Sequence, residues 1–270
     1  MQTPSETSAT KARYVKSYEI RRSYREAVQR PPAVAGVRDT LDIHCHADAG
    51  HQDALALAKH ASANGMRGIL YKSIVGRAQP ATAVGEVREA LNRWCDEEQL
   101  EPITCGAGFL VGPESESAEA VRQQIDAGVR AVWMPVAMHA NTLSQVGGRE
   151  SWWLPGGDRY TTTPPLVWED ALEVGQYALD DRGRLKPNFR DIVHAVADHG
   201  AALSFGHATH AEIFAYAEEV EKIGFERAFV DHPFSPFVDL SIEEMQQVAR
   251  AGVTLNFTYD ELSPLLGVDP

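Results

Sequence analysis

Residues 39–46, DTLDIHCH, begin a pattern that recurs along the chain. A short apolar run is followed by a loop, an amphipathic helix pattern such as DALALAKHASAN at 53–64, a glycine and the next apolar run. The later runs are RGILYKSI at 67–74, EPITCGAGFL at 101–110, RAVWMPVA at 130–137, AALSFGHA at 201–208, RAFVDHPF at 227–234 and VTLNFTYD at 253–260. Alternating β and α units imply a parallel sheet, and seven strands in series favour a TIM-like (β/α) barrel of the α/β class over an open sheet.

Three parts of the chain depart from this repeat. Residues 1–30 are expected to form an N-terminal arm, whose charged helix pattern stops at Pro31-Pro32. This helix either packs as an arm on the barrel or on a second subunit, or is a plain covering helix. The barrel occupies residues 31–270. An insertion at about 138–187 is expected to lie over the active-site face and to end in a hairpin turning at 181–183. After the seventh run the chain reads DELSPLLGVDP, so the pattern shows no eighth strand.

Composition and charge exclude several classes of protein. The net charge of −13 argues against a nucleic-acid surface, because phosphate binding requires clustered lysines and arginines. No window approaches the roughly 18 apolar residues of a membrane span, and the N-terminus lacks the apolar core of a secretory signal. Three cysteines without CxxC spacing argue against a disulfide framework, and the phosphate-loop, dinucleotide and nucleophile-elbow motifs are missing. We therefore expect a soluble cytoplasmic protein.

Four of the ten histidines fall at the carboxyl ends of predicted strands, where barrel enzymes place their chemistry. In LDIHCH, strand alternation sends His44 and His46 to the same side and Cys45 to the other. His207 and His232, at the ends of two later strands, are placed to converge on the same point. Imidazole nitrogen suits zinc, with manganese or iron as alternatives, so the pattern predicts a divalent metal site. The competing interpretation is that all four are ordinary core or loop histidines.

These motifs resemble the amidohydrolase superfamily. DIHCHAD at 42–48 and the histidines on the fifth and sixth strands carry the resemblance, which runs from about Thr40 to Tyr259. MRGILYKSI, LKPNFRDIVHAVADHGAALSFGHAT and FVDHPF are similar to a poorly characterised branch of amidohydrolase-like proteins. The resemblance implies that His44, His46 and His207 bind metal. It also implies that His232 binds a second metal or helps to polarise the water.

Two departures from the superfamily bear on this expectation. The fourth strand, RAVWMPVA, offers neither the carboxylated lysine nor the glutamate that bridges metals in many members, which favours one metal over two. Lys72, ending the second strand, is the nearest substitute: it binds a substrate anion, is carbamylated and bridges metals, or is an ordinary loop lysine. The superfamily's eighth-strand aspartate has no counterpart, and Asp260 on the seventh strand is a poor replacement.

Other polar residues near the strand ends are weaker candidates. Asp48 is placed to orient a ligand imidazole or touch substrate, or else to cap the next helix. His139 is placed to face the barrel mouth, whereas His210 begins a helix. Asp231 precedes His232, so alternation turns it away from that histidine's side and predicts a structural role.

We therefore predict a metal-dependent hydrolase. Its substrate is a small molecule with an amide, cyclic amide, lactone or related bond, cleaved by a metal-activated water, with His232, Lys72 and Asp48 as the catalytic candidates. Two alternatives remain open: a mononuclear decarboxylase or other lyase of the same superfamily, and a catalytically silent metal-binding barrel that acts as a scaffold. We expect a homo-oligomer without nucleic-acid or membrane partners.

Overall fold

The computed structural model describes residues 37–47, 53–74, 79–146, 165–235 and 238–258. In these residues the chain forms one parallel sheet whose strands are hydrogen-bonded in the order in which they occur in the sequence. The strands are β1 (Leu41–Ala47), β2 (Gly68–Ile74), β3 (Thr104–Leu110), β4 (Val129–Trp133), β5 (Ala202–Ser204), β6 (Ala228–Asp231) and β7 (Thr254–Asn256). The predicted seven-stranded α/β barrel class is confirmed. The arm at 1–30, Asp48, Asp260 and residues 147–164 of the insertion lie outside the described part.

Helices alternate with these strands. They are α1 (Ala54–Ala63), α2 (Pro80–Glu98), α3 (Ala118–Asp126), α4 (Ala140–Val146), α5 (Trp168–Val174), α6 (Pro187–Asp198), α7 (His210–Ile223) and α8 (Ile242–Arg250). The predicted insertion contains α4 and α5. Its predicted hairpin is confirmed, because Leu179 and Leu185 form an antiparallel bridge. Among the described helices, none combines the length and apolar character that a transmembrane segment needs.

Local sequence explains where the two last helices begin. At the start of α7, Thr209 accepts from the backbone of Glu212, whose carboxylate accepts in return from Thr209. Ser241 and Glu244 form the same capping box at the start of α8. Each box satisfies backbone donors that the first helical turn leaves unpaired. Since α7 follows β5, its fixed start also fixes the loop that carries His207.

The sheet curls strongly, as a barrel requires. Neighbouring strands lie about 4.8 Å apart, so five strand steps across a flat sheet would separate β1 from β6 by roughly 24 Å. The ring centroids of His44, on β1, and His232, directly after β6, are only 5.4 Å apart. The carboxyl ends of the first and sixth strands therefore meet across the barrel mouth.

Alternation along the strands separates two packing regions. Side chains on the outer face of the sheet, such as Ile69, Tyr71 and Leu203, join the large core between the sheet and the surrounding helices. Side chains on the inner face point into the barrel interior, where a smaller cluster contains Ala131, Trp133, Val136 and Phe229. The polar side chains of the candidate site continue this interior layer towards the carboxyl ends of the strands.

Candidate active site

The four strand-end histidines form a chain of neighbouring rings. The His44 centroid lies 5.3 Å from that of His46 and 5.4 Å from that of His232. The His232 centroid is 4.9 Å from that of His207. The structure thus brings these four predicted residues together, with His232 between His44 and His207.

Asp231 anchors this cluster from beneath. Its fully buried carboxylate accepts hydrogen bonds from Trp133 Nε1 at 2.5 Å, Ser204 Oγ at 2.8 Å and Asn256 Nδ2 at 2.6 Å. His44 Nδ1 lies 2.9 Å from Oδ1, a short contact that is tilted from ideal alignment. Burial alone would raise the pKa of Asp231, but His44 and Lys72 hold it well below its usual range. The carboxylate is therefore ionised and saturated with donors, which leaves it a poor proton acceptor.

The sequence prediction for Asp231 was wrong in one respect. Alternation from His232 was expected to turn Asp231 away, yet its carboxylate contacts His44 inside the barrel. The reason is that β6 ends at Asp231 and His232 has a φ of 39°, so the strand alternation does not extend to the histidine. A positive φ in a residue with a side chain is strained and is tolerated where surrounding contacts enforce it. Here the backbone N–H of His232 donates to Asn256 O at 2.8 Å.

Lys72 places an ammonium group against the histidine cluster. It is 1% exposed, and its Nζ lies 3.1 Å from His44 Nε2 and 5.8 Å from the centre of the Trp133 ring. Burial lowers its pKa to about 8, and the negative charge of Asp231 opposes that shift. Because an ammonium only donates, His44 Nε2 is the acceptor and Nδ1 carries the proton that faces Asp231. The interpretation of Lys72 as an ordinary loop lysine does not agree with this burial.

Each histidine of the cluster has an oxygen atom close to Nδ1. His46 Nδ1 is hydrogen-bonded to Ser73 Oγ at 2.7 Å, and the Nδ1 atoms of His207 and His232 are 3.2 Å from Thr142 Oγ1 and Ser235 Oγ. His44 Nδ1 faces Asp231, as described above. Burial and then the positive charge of Lys72 lower the pKa of His44, His207 and His232, so these imidazoles are neutral at pH 7.

A second buried network braces His207 from behind. Asn141 Nδ2 donates to His207 O at 3.2 Å, and the Asn141 backbone N–H donates to His139 Nδ1 at 3.1 Å. His139 Nε2 then donates to Glu212 Oε1 at 3.0 Å. Burial would raise the pKa of Glu212, but His139 and backbone donors such as Ala178 N–H lower it. Together with Thr142, this network fixes the loop between β5 and α7.

The donor chemistry of the cluster fits a divalent metal ion. Neutral imidazoles are ligands that suit zinc, and the ring centroids of His44 and His207 lie 5.4 Å and 4.9 Å from that of His232. Ligand histidines also hold their other nitrogen on an oxygen atom, as these do. However, no three His, Cys, Asp or Glu side chains of the described residues are already arranged as a metal site, and His44 Nε2 is turned to Lys72. Metal binding would therefore require the ammonium to give up this contact.

A cavity of about 460 Å³ opens beside Lys72. The ends of β2 and β3 line it, together with residues 111–115, the start of α2, part of α3, residues 136–138 after β4, and Gln176. Gly108 shapes its inner end, because a Cβ there would lie 2.5 Å from the Trp133 ring and 3.1 Å from Lys72 Cα. The cavity is within the size range of small-molecule sites.

Two further histidines do not join the cluster. His139 is buried against Glu212 rather than facing the barrel mouth. His210 binds Glu244 Oε1 at 2.8 Å and Val238 O at 2.6 Å, and so links the starts of α7 and α8. Sequence reasoning did not select Trp133, Ser204, Asn256 or Thr142. No spacing signal marks these four residues, because each acts through a contact with a distant part of the chain.

The comparisons place the chain in a family. The model of the family of unknown function DUF6282 matches residues 114–256. The chain belongs to this family. The matched range of DUF6282 includes His139, His207, Asp231 and His232 but not β1 or β2. No curated protein matches the sequence.

Two solved structures resemble this DUF6282 chain, with low sequence identity and low TM-scores. One is an amidohydrolase from Pseudomonas aeruginosa, with 13% identity and a TM-score of 0.41 over 82% of this chain and 75% of that one. The other is a xylose isomerase domain protein from Planctomyces limnophilus, with 13% identity and a TM-score of 0.39 over 82% of this chain and 74% of that one. At these values neither similarity assigns a reaction or a ligand to the chain.

Proposed function

We propose that this protein is a metal-dependent hydrolase that cleaves an amide, cyclic amide, lactone or related ester bond in a small molecule. The observation that carries the proposal is the convergence of His44, His207 and His232 around the buried pair of Lys72 and Asp231. This cluster lies at the carboxyl ends of parallel strands, where barrel enzymes carry out their reactions, and it adjoins a cavity of suitable size.

His44, His46 and His207 are the residues we assign to metal binding, and zinc is the ion that best suits their nitrogen atoms. A divalent ion held by these residues would polarise a carbonyl group and lower the pKa of a water molecule towards 7. Asp231 supports this assignment, since it faces Nδ1 of His44 and so keeps the lone pair of that ring on Nε2.

The other residues of the cluster supply charge and proton transfer. Lys72 donates to the oxygen of the scissile carbonyl, where negative charge develops as water attacks. His232 lies between His44 and His207 and is neutral, so it accepts a proton from the attacking water and passes it to the leaving group. A C–O bond to the water oxygen forms and the bond to the leaving nitrogen or oxygen breaks. Asp48, outside the described residues, keeps its predicted role of orienting a ligand or touching substrate.

Metal analysis of the full chain, purified without chelators, tests the metal site. We expect about one equivalent of zinc or another divalent ion in the wild type and strong loss in His44→Ala and His207→Ala. His194→Ala is the matched control, because His194 lies on α6 with its side chain 45% exposed and paired with Glu219. Equal metal content in all four proteins would refute the assigned ligands.

Turnover of a panel of amides, cyclic amides, lactones and esters tests the reaction. We expect activity that falls about a hundredfold or more on metal removal and returns with zinc. Full activity after chelation would overturn the proposal. Release of carbon dioxide from an unsaturated or aromatic acid, without consumption of water, would instead identify a lyase. Bound metal without turnover on any substrate would favour the scaffold alternative.

A further inference from the structure

The cavity beside Lys72 changes in character from its inner end to its mouth. Lys72 lines the cavity and, being buried, marks its inner end; its ammonium has three donor hydrogens, of which His44 Nε2 takes one. No carboxylate of the described residues forms an ion pair with it, and Asp231 acts on it only at longer range. A buried cation with unused donors favours an electronegative or anionic oxygen as its ligand.

Apolar side chains form part of the cavity wall, which also includes serine and glutamine residues. Phe109, Val111 and Val136 line it and are buried, and Ile74 and Met138 also contribute. A charged group placed between these side chains would lose its hydration without a compensating partner. This part of the cavity therefore suits an uncharged, mostly apolar chain or ring.

The mouth carries the opposite charge to the inner end. Glu114 and Gln123 line the cavity and are exposed, so they mark its solvent side. Glu114 is the one acidic side chain among the described lining residues, and it disfavours a second negative charge on the ligand. The cavity thus has a buried lysine at its inner end, apolar side chains along part of its wall and a carboxylate at its rim.

We propose that this cavity holds the acyl part of the substrate, with the carbonyl oxygen on Lys72 and an uncharged tail along Phe109, Val111 and Val136, so that the product is a monocarboxylate. This inference rests on the proposed hydrolysis and specifies its substrate class. Water adds to the acyl carbon, the bond to the leaving nitrogen or oxygen breaks, and the acyl group leaves as a carboxylate. That carboxylate keeps the contact with Lys72 and competes with the next substrate.

The assignment is tested by calorimetric or NMR titration of the full chain, as purified, with two ligands. One is hexanoate and the other is adipate, the dicarboxylate of equal length. We expect hexanoate to bind about fivefold or more tightly than adipate. Lys72→Met is expected to weaken hexanoate binding about tenfold, because a charge-assisted hydrogen bond is lost. Glu114→Gln is expected to reduce the ratio of hexanoate affinity to adipate affinity about twofold, since an exposed charge acts weakly. Glu89→Gln is the matched control, because Glu89 is exposed on α2 and does not line the cavity, and it is expected to leave the ratio of the two affinities unchanged.

A second variant keeps the test decisive if Lys72→Met fails to fold. Ala137 is half-buried and lines the cavity, so Ala137→Trp is expected to fill it and abolish hexanoate binding. Equal binding of hexanoate and adipate, or hexanoate binding that survives Ala137→Trp, would overturn the assignment. Turnover on the same preparation separates the two proposals. Hexanoate binding without turnover of the amide, lactone and ester panel would refute the hydrolase proposal and support the cavity assignment. Turnover without hexanoate binding would refute the cavity assignment alone.

Discussion

At the scale of single residues, Gly206 has no space for a side chain. It precedes His207, and a Cβ built on it would lie 2.7 Å from both Cβ and backbone N of Asp231. Backbone atoms of β6 cannot move without disturbing the sheet, so Gly206→Ala must push the His207 loop away from Asp231. We expect a loss of about 2 kcal/mol or more in unfolding free energy and weaker zinc binding, measured by urea unfolding and zinc titration.

Gly85→Ala is the control for that substitution. Gly85 lies within α2, and a Cβ there meets no atom within 4 Å. Alanine at this position is expected to raise the unfolding free energy by about 0.5–1 kcal/mol, because it restricts the unfolded chain. A Gly206→Ala protein as stable as the wild type would contradict the close approach of the His207 loop to β6.

The sequence predicted some residues of the site and missed others for physical reasons. The sequence allowed four histidines to be predicted, because strand alternation and strand ends are visible in it: His44, His46, His207 and His232. The orientation of Asp231 was not, because the positive φ of His232 depends on contacts such as that with Asn256 O, which come from another strand. The metal roles of the histidines stay predictions.

At the scale of elements, α4 positions the fifth-strand histidine. Thr142 is fully buried, and its Oγ1 is hydrogen-bonded to His207 Nδ1. Thr142→Val keeps the shape of the side chain but removes this oxygen. We expect zinc affinity to fall about tenfold or more, as for other partners that hold ligand histidines. Thr142→Ser keeps the oxygen and is expected to restore most of the affinity, which a purely packing role for Thr142 would not predict.

Glu212 joins α7 to the residues before α4, and its charge makes that junction sensitive to acid. Its pKa is lowered in the folded chain, where it faces His139, Tyr177 and Tyr216. The stability it contributes is therefore complete above the ordinary glutamate pKa of about 4.3 and is lost as the pH falls below that value. Glu212→Gln is expected to be less stable than the wild type at pH 6, and the difference should shrink towards pH 3. A constant difference in urea unfolding across this range would contradict the charged role of Glu212.

Some features of the helices and strands could be predicted from the sequence, and others could not. The β/α repeat and both capping boxes were readable, because periodicity and cap residues are local signals. The insertion was recognised by its composition and its hairpin. The role of α4 was not, since a helix of 7 residues leaves a weak periodic pattern and Asn141 and Thr142 act through contacts 65 or more residues away in the sequence.

At the scale of the whole molecule, an ion held by the cluster would join strands that the sheet does not join. In the described residues β1 pairs with β2 alone, and His207 follows β5, four strands away in the order. A ligand that binds only the folded chain stabilises it by about 2.7 kcal/mol when present at a hundred times its dissociation constant. For a chain of this size we therefore expect zinc to raise the melting temperature by roughly 5–10 °C.

Variants at two histidines show whether that stabilisation comes from the cluster. His207→Ala removes the link between β1 and β5 and is expected to abolish the zinc-induced rise in melting temperature. His194→Ala leaves the barrel mouth unchanged, because His194 pairs with Glu219 on the outer helices, and is expected to keep the full rise. Calorimetry of each protein with zinc and with chelator measures the two shifts. An equal rise in both variants would place the stabilising zinc elsewhere on the molecule, because binding at the cluster requires the fifth strand to hold the ion against the first.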